Sequence, residues 1–152
     1  MQDNENAVVV YPCSRLSGEI RLQGSKNSVL PIMAAALLKA GVTVLENCPD
    51  IADVHAMSGL FTKCGSRVEY NEHVMRIDAS AADNGILDDE YSTKMRASIL
   101  LMGSCLGRFG RFVMPPPGGC AIGKRPIDFH VSAMRQLGAD ISGNSGGVDA
   151  YV

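Results

Sequence analysis

Apolar and polar positions change their period several times along the chain, and each change marks an element. Residues 7–11 (Ala-Val-Val-Val-Tyr) form a short apolar run that predicts a buried strand. Gly18 to Gln23 alternates and predicts a half-exposed strand. Gly24-Ser25-Lys26-Asn27-Ser28 interrupts it. A helix follows to about Lys39, with Pro31 in its first turn, where proline is tolerated. Val42 to Glu46 reads as a strand. Asp50 is a candidate N-cap for a helix over Ile51–Lys63, which carries Val54, Met57, Leu60 and Phe61 on one face and stops at Gly65. Ser66–Tyr70 and Val74–Asp78 predict a hairpin.

The second half repeats this order. Residues 80–91 are acidic, short of large apolar side chains and read as a linker. Ser92 is placed to cap a helix over Thr93 to about Leu106, and Gly107 to Gly110 closes it. Arg111–Met114 predicts a strand, Pro126–Leu137 a helix ending at Gly138, and Ala139–Ser142 with Val148–Val152 a last hairpin. Asp53-Val54-His55 matches Asp128-Phe129-His130 at an offset of 75 residues, and the helix-stopping glycines Gly65 and Gly138 match at an offset of 73. The chain therefore contains an internal duplication of an α-β-α-β-β unit, preceded in the first copy by the strand at 18–23. The expected class is α/β (mixed α+β), with repeated βαβαββ units whose helices pack inward. About two units are present. Residues 1–17 form an N-terminal strand and connection, repeat 1 spans about 18–79, the linker about 80–91, and repeat 2 about 92–152.

At 152 residues the chain is long enough for one domain with a core. Its net charge of −2 gives no reason to expect a nucleic-acid surface, and no run approaches the length of a membrane span. The acidic, polar start cannot be the n-region of a signal peptide. The five cysteines, Cys13, Cys48, Cys64, Cys105 and Cys120, are odd in number and widely spaced. That speaks against a disulfide framework and against zinc, so most are expected to be small buried residues in a reducing cytoplasm. The helix from Ser28 to Lys39 and the stretch Ile99-Leu100-Leu101-Met102 are apolar nearly all round. With only two units present, they are expected to need a partner, either further chain or a second copy.

One stretch carries most of the candidate chemistry. Pro115, Pro116 and Pro117 stiffen the entry to Gly118-Gly119-Cys120-Ala121-Ile122-Gly123-Lys124-Arg125-Pro126. Two neighbouring cations and a glycine-rich setting favour a reactive Cys120 thiol. Pro126 can open the following helix. Lys26 and Asn27 stand at the start of one helix, Arg96 in or near the first turn of another, and Arg125 just before a third. Cations at helix N-termini oppose the macrodipole, so three such placements point to an anion bound between them.

Pro117 to His130 closely resembles the active-site loop of the UDP-N-acetylglucosamine 1-carboxyvinyltransferases, enolpyruvyl transferases of peptidoglycan synthesis. Gly24-Ser25-Lys26-Asn27 with Leu30-Pro31 resembles their phosphoenolpyruvate motif, and Thr93-Lys94-Met95-Arg96-Ala97-Ser98 a third segment. The sister shikimate-pathway transferases share the lysine but not the Gly-Gly-Cys loop.

The resemblance implies an inside-out α/β barrel, a cytoplasmic enzyme without cofactor or metal, and the target of fosfomycin. It implies that Lys26 and Asn27 contact phosphoenolpyruvate. It implies that Arg96, Arg125, Pro126, Ile127, Asp128 and Phe129 contact UDP-N-acetylglucosamine, and that Cys120 is the general acid. Family members are more than twice as long, with two domains of three units each. The base for the sugar hydroxyl is therefore expected outside these residues, and the chain alone is expected to be inactive. A non-catalytic nucleotide-sugar module and an inactive self-associating fragment are the alternatives.

Overall fold

The computed structural model describes residues 8–87, 89–92, 95–116, 126–143 and 147–152. Unit 1 runs α1 (Lys26–Ala36), β1 (Val42–Leu45), α2 (Ala52–Lys63), β2 (Arg67–Asn71) and β3 (Val74–Asp78). A four-residue helix α3 (Asp89–Ser92) leads to unit 2. There a 3-10 helix (Arg96–Leu100) runs directly into α4 (Leu101–Phe109), followed by β4 (Arg111–Met114), α5 (Asp128–Gln136), β5 (Asp140–Ser142) and β6 (Val148–Tyr151).

The duplication is visible in the sheets. One is antiparallel with order β1-β3-β2 and the other antiparallel with order β4-β6-β5, so in each the last strand lies in the middle. Register is fixed by the alternation. Met75 and Ile77 on β3 are fully buried, as are Phe112 on β4 and Ala150 on β6, while their sequence neighbours face outward. Val68 pairs with Ile77, and Ile141 with Ala150. Each α2-type helix stops at a glycine with positive φ, Gly65 at 87° and Gly138 at 101°. The β2–β3 turn is closed by Glu72 and His73, both at positive φ, the geometry that matches strand twist in a two-residue hairpin loop.

Helices form the centre. α1 packs on α2, on the 3-10 helix and on α4, and α2 packs on the 3-10 helix. Val29, Leu30 and Met33 of α1 and Leu37 at its C-cap are thereby buried with Val54, Met57, Leu60 and Phe61 of α2 and with Ile99, Leu101 and Met102. The two apolar segments expected to lack a partner thus bury part of their surface against each other, while Ile32 and Leu38 of the first stay half exposed. Other large apolar side chains are exposed too, including Ile20 and Leu22 before α1, Phe129 on α5, a helix with no buried residue, and Leu137 just after it.

Several boundaries differ from the sequence reading. No strand forms over 8–11 or 18–23, and residues there are exposed. Alternation supplies a face, but a strand also needs a neighbour for its N–H and C=O groups, and among the described residues no strand pairs with these segments. Residues 80–87 are a packed connection rather than a free linker. Ala82 and Leu87 are buried, and Ile86 bridges Val113 in parallel, with Leu87 N–H donating to Val113 O at 2.8 Å. Ser92 ends α3 instead of capping a long helix, and Thr93 and Lys94 lie outside the described residues. α4 passes through Gly107 and stops at Gly110. Asp50 does not cap α2. Ile51 occupies that position, and the Asp50 carboxylate binds His55 Nε2 at 2.6 Å instead. Pro126 does not open α5, which begins at Asp128 after Ile127.

Candidate functional site

The candidate site residues that the structure describes lie at or just before helix starts. Lys26 is the first residue of α1, and Asn27 follows it on the exposed surface. Their approach is set by Gly24, whose N–H donates to Asn47 O at 3.1 Å. A Cβ on Gly24 would lie 2.2 Å from that carbonyl oxygen, so only glycine lets the two chains come this close. Asn47 is itself left-handed, with φ 55°. The same turn is held from its other side, because Cys48 O accepts from Tyr70 Oη and lies 3.0 Å from His73 Nδ1.

This turn delivers α2 so that Asp53, in its first turn, forms an ion pair with Lys26 Nζ. A carboxylate is favoured there by the helix dipole. Asp53 was legible in the sequence only as a marker of the repeat. The signal that links it to the candidate site is its match to Asp128, to which the family resemblance gives a role.

Unit 2 repeats the arrangement with different chemistry. Arg96 begins the 3-10 helix, and its Nη2 donates to Pro126 O at 2.8 Å, two residues before α5 starts. In both units, then, the cation opening the first helix reaches the start of the second. The structure thus brings Arg96 to Pro126, next to Ile127 and Asp128 in the chain. Asp128 and Phe129 are exposed, Phe129 to 83%, which leaves its ring open to a ligand or to further chain. Cys120 and Arg125, with Lys124, lie outside the described residues. Of the other thiols, Cys48, Cys64 and Cys105 are buried, and Cys13 is exposed. A hydrogen bond with Cys64, together with burial, drives the Cys105 thiol far above its ordinary range, and burial raises Cys48. Neither is a nucleophile near neutral pH. Among the described residues no group of three or more His, Cys, Asp or Glu side chains could hold a metal ion, and no helix is long and apolar enough to cross a membrane.

The family model described as EPSP synthase (3-phosphoshikimate 1-carboxyvinyltransferase) matches residues 10–152. The chain belongs to this enolpyruvyl transferase family. Within it, the chain is 43% identical over 143 residues to the UDP-N-acetylglucosamine 1-carboxyvinyltransferase of Wolbachia pipientis wMel, covering 90% of this chain and 32% of the relative. It is 47% identical over 127 residues to the enzyme of that name from Chloroherpeton thalassium, covering 83% of this chain and 30% of the relative. The enolpyruvyl transferase NikO from Streptomyces tendae shares the fold with a TM-score of 0.76 at 26% identity, covering 91% of this chain and 30% of that one. The chain thus matches the N-terminal portion of these family members and spans about a third of their length.

Proposed function

We propose that this chain is the part of a UDP-N-acetylglucosamine enolpyruvyl transferase that holds phosphoenolpyruvate and supplies the acid. The reading is carried by the 40–47% identity to UDP-N-acetylglucosamine 1-carboxyvinyltransferases. It is supported by the presence of Lys26, Arg96 and Cys120 in the segments that resemble theirs. In this reading Lys26 and Asn27 hold phosphoenolpyruvate, and Arg96 with residues 125–129 binds the nucleotide sugar. Cys120 Sγ protonates C3 of phosphoenolpyruvate, positive character develops at C2, and the sugar 3′-oxygen bonds to C2 as its proton passes to a base. Loss of phosphate from C2 and of a proton from C3 then regenerates the double bond in the product. A positioned acid and cations facing the departing phosphate are what such a step requires. The product would enter peptidoglycan synthesis in the cytoplasm, and fosfomycin would alkylate Cys120.

Catalysis in this reading needs residues that a third of the relatives' length does not contain. The test has two arms. Titration of the chain with UDP-N-acetylglucosamine and phosphoenolpyruvate, followed by NMR, is expected to shift the signals of Lys26, Asn27 and Arg96. A phosphate-release assay on the chain alone is expected to give no turnover. Absence of any shift at those residues would defeat the proposed site, and Cys120-dependent turnover would defeat the division of labour.

A further inference from the structure

We infer that Asp53 is a positioning residue, which fixes the Lys26 ammonium where an anionic substrate meets it. The inference rests on the reading of Lys26 as a phosphoenolpyruvate ligand but adds a residue that the reading does not contain. Three observations carry it. First, Asp53 pairs with Lys26 across the junction of α1 and α2. Second, the pair is asymmetric in exposure. The lysine side chain keeps 52% of its surface open and the carboxylate 28%, so the lysine stays accessible while paired to the less exposed carboxylate. Third, unit 2 performs the same operation with a neutral acceptor, Pro126 O, on Arg96. A tether from each helix-opening cation to the next helix start is therefore built into the repeat, whichever acceptor provides it.

A lysine ammonium on four methylenes loses considerable rotamer freedom when it is fixed. A carboxylate that has already fixed it removes that cost from substrate binding. The same carboxylate places a negative charge near an incoming anion, which by itself weakens binding. The two effects have opposite signs, and Asp53→Asn separates them. If positioning dominates, the variant binds phosphoenolpyruvate several-fold more weakly although a negative charge has gone. Asp53→Glu recovers part of the loss. Asp50→Asn removes an equal charge nearby without touching Lys26 and does not weaken binding.

The experiment combines calorimetric titration of phosphoenolpyruvate into the four proteins with substrate-free labelling of lysine amines, quantified per residue by mass spectrometry. Labelling of Lys26 is expected to rise several-fold in Asp53→Asn relative to the other lysines, and to stay near the parent rate in Asp53→Glu and Asp50→Asn. Unchanged or tighter phosphoenolpyruvate binding by Asp53→Asn overturns the inference, and so does unchanged Lys26 labelling. If the parent chain binds no phosphoenolpyruvate, the reading of Lys26 fails by itself, and the labelling arm still decides whether Asp53 holds the amine. Thermal melts separate these results from misfolding, because a partly exposed ion pair contributes little to stability.

Discussion

Ser104 donates its hydroxyl proton to Ala34 O at 2.6 Å, joining α4 of the second unit to α1 of the first inside the core. Arg108, one turn further along α4, extends the seam. Its guanidinium reaches Leu37 O at 2.8 Å, Ala79 O at 2.6 Å and Ala82 O at 3.2 Å, gathering the end of α1 and the chain after β3. The two repeats are thus joined by one polar tie inside the apolar interface, from Ser104, and by the part-buried ties of Arg108.

Arg108→Ala removes the charged donor from three carbonyls at once and is expected to destabilise the fold by about 2–4 kcal/mol, against about 1 kcal/mol for Ser104→Ala. Arg108→Lys should recover only part of the loss, because a point charge cannot serve three carbonyls as a planar fork does. Chemical denaturation of the three variants tests the ranking. Equal losses for Arg108→Ala and Ser104→Ala would contradict it.

Gly24→Ala forces a Cβ against Asn47 O, and backbone on one side or the other must give way. Overpacking of this kind costs about 1–3 kcal/mol. The displacement falls two residues before Lys26, so the variant should also lose the Lys26–Asp53 pair. A melt combined with the lysine-labelling assay reads both effects.

Thiol reactivity should follow burial and local charge. Brief substoichiometric alkylation is expected to label Cys120 first, on the sequence argument of its glycine-rich setting and adjacent cations. Cys13 is the exposed competitor, and Cys48, Cys64 and Cys105 should react only on unfolding. Peptide mapping decides the order, and early modification of Cys64 or Cys105 would contradict the packing described.

Acid should weaken the fold partly through Asp78. Hydrogen bonds from the Ser80 side chain and then its backbone N–H, the latter at 3.0 Å, hold this carboxyl below its ordinary range. A carboxyl depressed by folding adds stability above its unfolded value and loses it as pH falls through the folded value. Urea midpoints measured between about pH 2 and 5 should therefore drop with acidification, and the drop should be shallower in Asp78→Asn. Parallel curves would remove Asp78 from the account.

The local elements of this protein are legible in its residues. Periodicity placed β1, α2, the β2–β3 hairpin, β4 and the last hairpin within a residue or two. It did so because each buries one face, and a buried face leaves a period in the chain. The matching Asp-x-His triplets and the matching glycine stops disclosed the duplication, which the two sheets repeat strand for strand. Three things were decided only by tertiary structure. Residues 18–23 have the alternation of a strand and no strand, since backbone pairing depends on a neighbour that the segment cannot encode. Asp50 and Asp53 look alike as helix-start carboxylates, yet one binds His55 and the other Lys26, because the turn clamped at Gly24 and Cys48 sets which side chain faces which helix. The apolar helices that look unpartnered in the sequence cover one another on their inner faces, with Ile32 and Leu38 left half exposed. An apolar surface records that it must be buried, and only the fold specifies against what.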